Sequence, residues 1–142
     1  MLIDQMKVIH ATNFSFYLKA QFFHWNVEGP FFSQLHELFA GIYEDSFGAV
    51  DKIAEEIRAI KGYAPGSFTR FAQDSKIKDQ VDVVPAMDMV KTLLADNDLL
   101  IVELAKGQKM AEVEGELGLA NYLQDRLDAH KKHGWMLRAT SK

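Results

Sequence analysis

The chain contains no cysteine. Disulfides and thiolate metal sites are excluded together, so a bound metal would need nitrogen and oxygen donors, which leaves iron, manganese and zinc open. Only three prolines and nine glycines punctuate 142 residues, and no low-complexity segment occurs. A fibrous or loop-dominated chain is thereby set aside. No stretch approaches the roughly eighteen uninterrupted apolar residues that a membrane span requires. The opening "MLIDQMKVIHATNF" has no basic region followed by an apolar run, so a secretory leader is not expected and the chain reads as cytoplasmic. There is no basic tail either. Sixteen Lys and Arg are dispersed among twenty Asp and Glu, giving a net charge of −4, and general attraction to phosphate backbones should be weak.

What is present is 48% hydrophobic and 25% charged residues, the balance of a helix-rich globular protein. The length suits one domain over residues 1–142, able to bury about two thirds of the surface of its unfolded form. Residues 2 to 25 carry Leu2, Met6, Ile9, Phe14, Tyr17 and Phe22 at helical spacing. Asn26 to Pro30, with its "EGP", predicts a turn; Ser33 is placed to N-cap a second helix, with Phe32 as an apolar staple. That helix is expected from Ser33 to Lys61, through Leu35, Leu38, Phe39, Ile42, Phe47, Val50, Ile53, Ala54, Ile57 and Ile60, with Gly62 as its stop. Residues 63 to 84 read as a crossover holding a short "FTRFAQ" helix capped by Ser67. Pro85 suits the first turn of a third helix that reaches about residue 112, and a fourth is expected from about Leu117 to Ala139. The predicted class is all-α: a four-helix bundle with one long connection in the middle and no internal repeat.

The chemistry concentrates in the first half. Asp51 and Glu55 are four residues apart on one helix face and can converge on a cation, although an acidic i, i+4 pair alone reads first as a solvated face. His36 lies fifteen residues earlier on the same helix, roughly 22 Å along its axis at 1.5 Å per residue. One chain cannot close that gap. A two-fold axis crossing the middle of the helix would lay it antiparallel to its copy and set His36 of one chain against Asp51 of another. Gly41 and Gly48 flank that midpoint seven residues apart. Each costs about 1 kcal/mol against alanine in a helix interior, so close backbone approach by a neighbour would account for them.

These residues resemble a known family. "HWNVEGPFFSQLH" followed by "DKIAEEIRAIKG" is similar to the signature of the Dps proteins, mini-ferritins named for DNA protection during starvation. "LADNDLL" and "LQDRLDAHKKHGWMLRA" resemble the third and fourth helices of the same family, so the likeness runs from about Phe14 to Ala139. It implies a ferritin-like four-helix bundle, a hollow homo-dodecamer, and Fe(II) oxidation at sites on two-fold interfaces through helix 33–61. Hydrogen peroxide, or oxygen, would be the oxidant, and ferric mineral would be stored inside. The resemblance assigns His24 and His36 as iron ligands from one subunit and Asp51 and Glu55 as ligands from its partner. It also places Trp25 near the iron.

One position departs from the pattern. The family usually carries an aspartate four residues after the second histidine, where this chain has Ala40, and neither Glu37 nor Glu44 stands at that register. Fewer anionic donors should weaken iron binding. The resemblance also puts Glu116, Asn121 and Asp125 at three-fold pores, with Asn121 in place of the usual aspartate; an exposed polar helix face is the alternative. No Glu-x-x-His occurs, which argues against a di-iron centre inside one bundle. His130 and His133, three apart, are assigned to packing or surface roles, and His10 to structure. The functional expectation is a ferroxidase and iron-storage cage with iron and no organic cofactor. The alternatives are a weakened cage that only sequesters metal, zinc included, and a DNA-coating shell. Direct DNA binding is not expected without a lysine-rich arm, unless Mg²⁺ bridges acids to phosphate.

Overall fold

The periodic apolar stripes fold as helices. A computed structural model describes all 142 residues and contains five: α1 (Leu2–Asn26), α2 (Phe32–Ala59), α3 (Phe68–Asp74), α4 (Ala86–Val113) and α5 (Leu117–Thr140). α1 packs against α2, α3 and α4, and α4 packs against α5. Lys19 in the second half of α1 bonds Asp96 early in α4, while Ile9 meets Gly107 late in α4, so the two helices run antiparallel. Gly62, just past α2, touches Ile3 at the start of α1, so α2 is antiparallel to α1 as well. α2 and α4 therefore run the same way, and residues 60–85 must traverse the bundle's length. This is the one-crossover, ferritin-like arrangement.

Phe16, Phe23, Phe39, Met6, Ile9, Ile53, Leu93 and Leu100 fill the centre with essentially no exposure. Burying each such side chain contributes about 1.5–3 kcal/mol. Polar residues interrupt the stripes at Asn13, Lys19, Asp96, Asn97, Arg126, His130 and His133, all buried. No helix is long and apolar enough to cross a membrane.

The helix ends correct several expectations. Ser33 does not cap α2. The helix begins one residue earlier, with Phe31 in the N-cap position and no side-chain cap, because the Gly29–Pro30 turn already closes it through Phe32 N–H to Gly29 O. Phe32 is no staple; it stacks on His36 one turn on, with centroids 5.1 Å apart. The left-handed residue that ends α2 is Lys61 (φ 76°), not Gly62. Lys61 N–H bonds Arg58 O and Gly62 N–H bonds Ile57 O, the paired closure of a Schellman turn, and Gly62 is needed for space: a Cβ there would lie 2.8 Å from Ile3 Cγ2. Gly115 (φ 77°) ends α4 by the same device. Pro85 sits at the N-cap of α4 rather than in its first turn. Phe47 is not core: it is 56% exposed. Ser67 does cap α3, accepting from Arg70 N–H at 3.2 Å.

Candidate metal centre

His24 lies in the last turn of α1 and His36 in the second turn of α2, either side of the 27–31 turn. The two rings stack with centroids 3.8 Å apart and 17° between planes. His24 Nδ1 is 2.7 Å from His36 O, and His36 Nδ1 is 2.7 Å from His24 O. A carbonyl can only accept, so each Nδ1 carries a proton and donates it. The lone pair of each neutral ring is thereby fixed on Nε2, the atom left to bind a cation. The bond to His24 O also satisfies one of the carbonyls that the end of α1 leaves unpaired. Phe32 covers one side of His36, and Tyr43 packs on His24 with centroids 5.1 Å apart. Trp25 is next to His24 and exposed.

Asp51 and Glu55 are exposed on the far half of α2, and the fold does not bring them to the histidines. Within one chain no group of three or more His, Asp or Glu is placed to hold a metal ion. Ala40, one turn after His36, offers only a methyl on that face; Glu37 and Glu44 are exposed. Gly41 and Gly48 are exposed too, and a Cβ at either would meet nothing within 4 Å in this chain. Glu116 is the N-cap residue of α5, with Asn121 and Asp125 exposed on the following two turns.

His10 is buried, with Nε2–H donating to Pro65 O at 2.9 Å and its ring edge-on to Phe71; burial pushes its pKa down. His130 and His133 join a network absent from the sequence reading. Arg126 makes a two-pronged bond to Asp45, at 3.0 and 2.7 Å, and His133 Nε2–H donates to the same carboxylate at 2.8 Å. Burial alone would raise the Asp45 pKa, but the bonds from His133 and Arg126 and their charges outweigh it, holding the carboxyl well below the usual range. Arg126 also donates to His130 Nε2 at 3.1 Å, so His130 Nδ1–H must donate to Asn97 Oδ1 at 2.8 Å. Burial first, then the Arg126 charge, keeps His130 neutral. With Lys52 over the Tyr122 ring, these side chains bridge α2 and α5, whose backbones stand apart. The sequence signal was slight: polar residues on otherwise apolar stripes, as at Asn97 and His130.

The family model of the ferritin-like domain matches residues 3–142. DNA protection during starvation protein 2 of Bacillus anthracis is 34% identical over 123 residues, which cover 87% of this chain and 84% of that protein. The chain belongs to the Dps family. Among solved Dps structures, that from Bacillus brevis superposes with a TM-score of 0.94 at 28% identity, covering 99% of this chain and 95% of the other. The Dps protein of Vibrio cholerae O1, described as a member of a broad superfamily of ferritin-like diiron-carboxylate proteins, gives 0.94 at 26% identity, with 99% and 89% covered.

Proposed function

We propose that this Dps family member is a ferroxidase and iron-storage cage, and that a second copy completes each iron site. Family membership supports iron storage and protection in general terms. The observation that carries the finer reading is the locked histidine pair: two Nε2 lone pairs set in place at an exposed corner, with no carboxylate of the same chain to join them. Asp51 and Glu55 of a second copy, brought round by a two-fold axis across α2, would supply the hard oxygen donors that ferrous and ferric iron favour. Fe(II) is here the substrate and hydrogen peroxide or oxygen the oxidant; two Fe(II) give one electron each as the peroxide O–O bond breaks. Ala40 removes a usual donor, which favours a site that holds one iron firmly and a second only in passing. Repetition of the two-fold contact in a shell of twelve would enclose space for mineral, with Glu116 and Asp125 as weaker acidic lining of an entry pore. The acidic net charge favours protection by removal of Fe(II) and peroxide over direct coating of DNA.

Anaerobic Fe(II) followed by peroxide is expected to give ferric absorbance well above the buffer rate. The double variant His36→Ala, Asp51→Ala should fall to the buffer rate; an unchanged rate would reject the assigned ligands.

The glycines test the axis. In an isolated chain, alanine at Gly41 or Gly48 should stabilise α2 by about 1 kcal/mol each, since nothing obstructs the added carbon. Gly41→Leu together with Gly48→Leu is expected to lower the particle mass read by light scattering while helicity persists. A full-sized particle would place the interface elsewhere.

A further inference from the structure

We propose that His130 and Arg126 form a proton-operated latch: one added proton on His130 drives the guanidinium away and frees the midpoint of α2 from α5. The geometry leaves that imidazole a single neutral form. Asn97 Nδ2 donates to His130 O at 2.8 Å, so the amide is turned with Oδ1 towards the ring, where His130 Nδ1–H donates to it at 2.8 Å. Nε2 is therefore a bare lone pair, and it faces Arg126 Nη2 at 3.1 Å. Arginine keeps its charge, so a second proton on the ring would set N–H against N–H. The closed arrangement cannot accept it.

One nitrogen serves both helices. Arg126 Nη2 reaches Asp45 Oδ2 at 2.7 Å as well as His130, with Nη1 on Oδ1 at 3.0 Å, so the movement that clears the ring also loosens the hold on α2. The groups around the buried ring do not neutralise the added charge in place. On α5, His133 donates Nε2–H to Asp45 at 2.8 Å, and a second proton there only adds positive charge. α2 contributes the Asp45 carboxylate, already shared by Arg126 and His133. α4 faces the ring with uncharged Asn97, the adjacent Asp96 being tied to Lys19 of α1 at 2.6 Å, and α1 presents the Phe16 ring 5.4 Å away. The open side is Asp45, which is partly exposed, so water can enter there as the arginine leaves.

Burial and the Arg126 charge keep His130 neutral while the latch is closed. Once open, the ring takes protons like an ordinary histidine, so the open fraction rises by up to about tenfold per pH unit below about pH 6.5. Asp45 stays ionised throughout that range. Release matters because of what α2 carries: Asp45 lies nine residues after His36 and six before Asp51. On the iron-site reading above, acid would slacken the rod that sets both halves of the site across the two-fold axis.

Crystals of the whole iron-free assembly at pH 7 and pH 5 test the latch. At pH 7 Arg126 Nη2 should lie on His130 Nε2; at pH 5 the two should stand apart with water between them, while particle mass and helicity in solution stay the same. His130→Gln, which cannot take the proton, should look alike at both pH values, and His133→Gln should still open. An Arg126–His130 bond that persists in the wild type at pH 5, or an acid opening that survives in His130→Gln, overturns the latch. Initial rates of ferric absorbance with peroxide test its reach: between pH 7 and 5 the wild type should lose severalfold more rate than His130→Gln, and equal losses would overturn control through α2. An unchanged rate in His36→Ala, Asp51→Ala would instead strike the iron site and leave the latch standing.

Discussion

Assembling His36→Ala chains together with Asp51→Ala chains in equal amounts is expected to restore about one quarter of wild-type iron oxidation, although each variant alone is inactive. Each two-fold pair of wild-type chains would hold two sites, each made of His24 and His36 from one chain with Asp51 and Glu55 from the other. In a mixed pair one site receives both substitutions and the other receives neither. Random mixing makes half of all pairs mixed, with one of two sites intact in each, hence the quarter. A site built within one chain would gain nothing, because every chain would still lack one ligand. Initial rates of ferric absorbance on co-expressed and separately expressed proteins read the difference directly, and zero recovery in shells proven to be mixed would exclude shared ligands.

The second large effect concerns stability. Asp45→Ala is expected to cost about 3 kcal/mol, the lower end of the range for breaking a buried ion pair. It strands the Arg126 guanidinium, whose side chain is 9% exposed, with only His130 Nε2 as partner. Arg126→Leu should cost less, because the Asp45 side chain is 34% exposed and still accepts from His133. The double variant Asp45→Leu, Arg126→Leu should recover most of the loss. The network also sets the pH response. Because the folded Asp45 pKa lies below the ordinary one, its contribution is full above about pH 4 and is lost as pH falls further. His130 acts earlier. Its folded pKa is depressed, so below about pH 6.5 the unfolded chain takes up a proton that the folded chain refuses, and stability falls by up to about 1.4 kcal/mol per pH unit. His10 adds in the same direction. Urea midpoints between pH 7 and 5, at fixed protein concentration, should slope less steeply in His130→Gln; an identical slope would remove His130 from the account.

The long helices and the crossover were legible because stripes such as Leu35, Phe39, Ile42 and Ile53 keep one period over many turns, and a packed face tolerates no other reading. The ends were less legible. Ser33 looked like a cap, yet Gly29 and Pro30 had already closed the turn; Gly62 looked like the left-handed residue, yet Lys61 took that backbone and glycine was required for room against Ile3. The histidine pair could be picked out by its spacing around "EGP", but the reciprocal bonds that fix each tautomer depend on two helix ends meeting at one distance. Asp45 was hidden among the acids of "YEDS", where nothing local distinguishes a carboxylate facing Arg126 across the bundle from one facing water.

The clasp between His24 and His36 has a mechanical side. Each ring grips the main chain of the opposite helix, so the joint between α1 and α2 is also the proposed anchor for the cation. Chemical damage to either imidazole would cost the protein a rivet as well as a proposed ligand, and slack at this corner would spread to the turn that carries Gly29 and Pro30. Conversely, both rings are held by the backbone before any cation arrives, so binding at Nε2 would have little ring motion left to freeze.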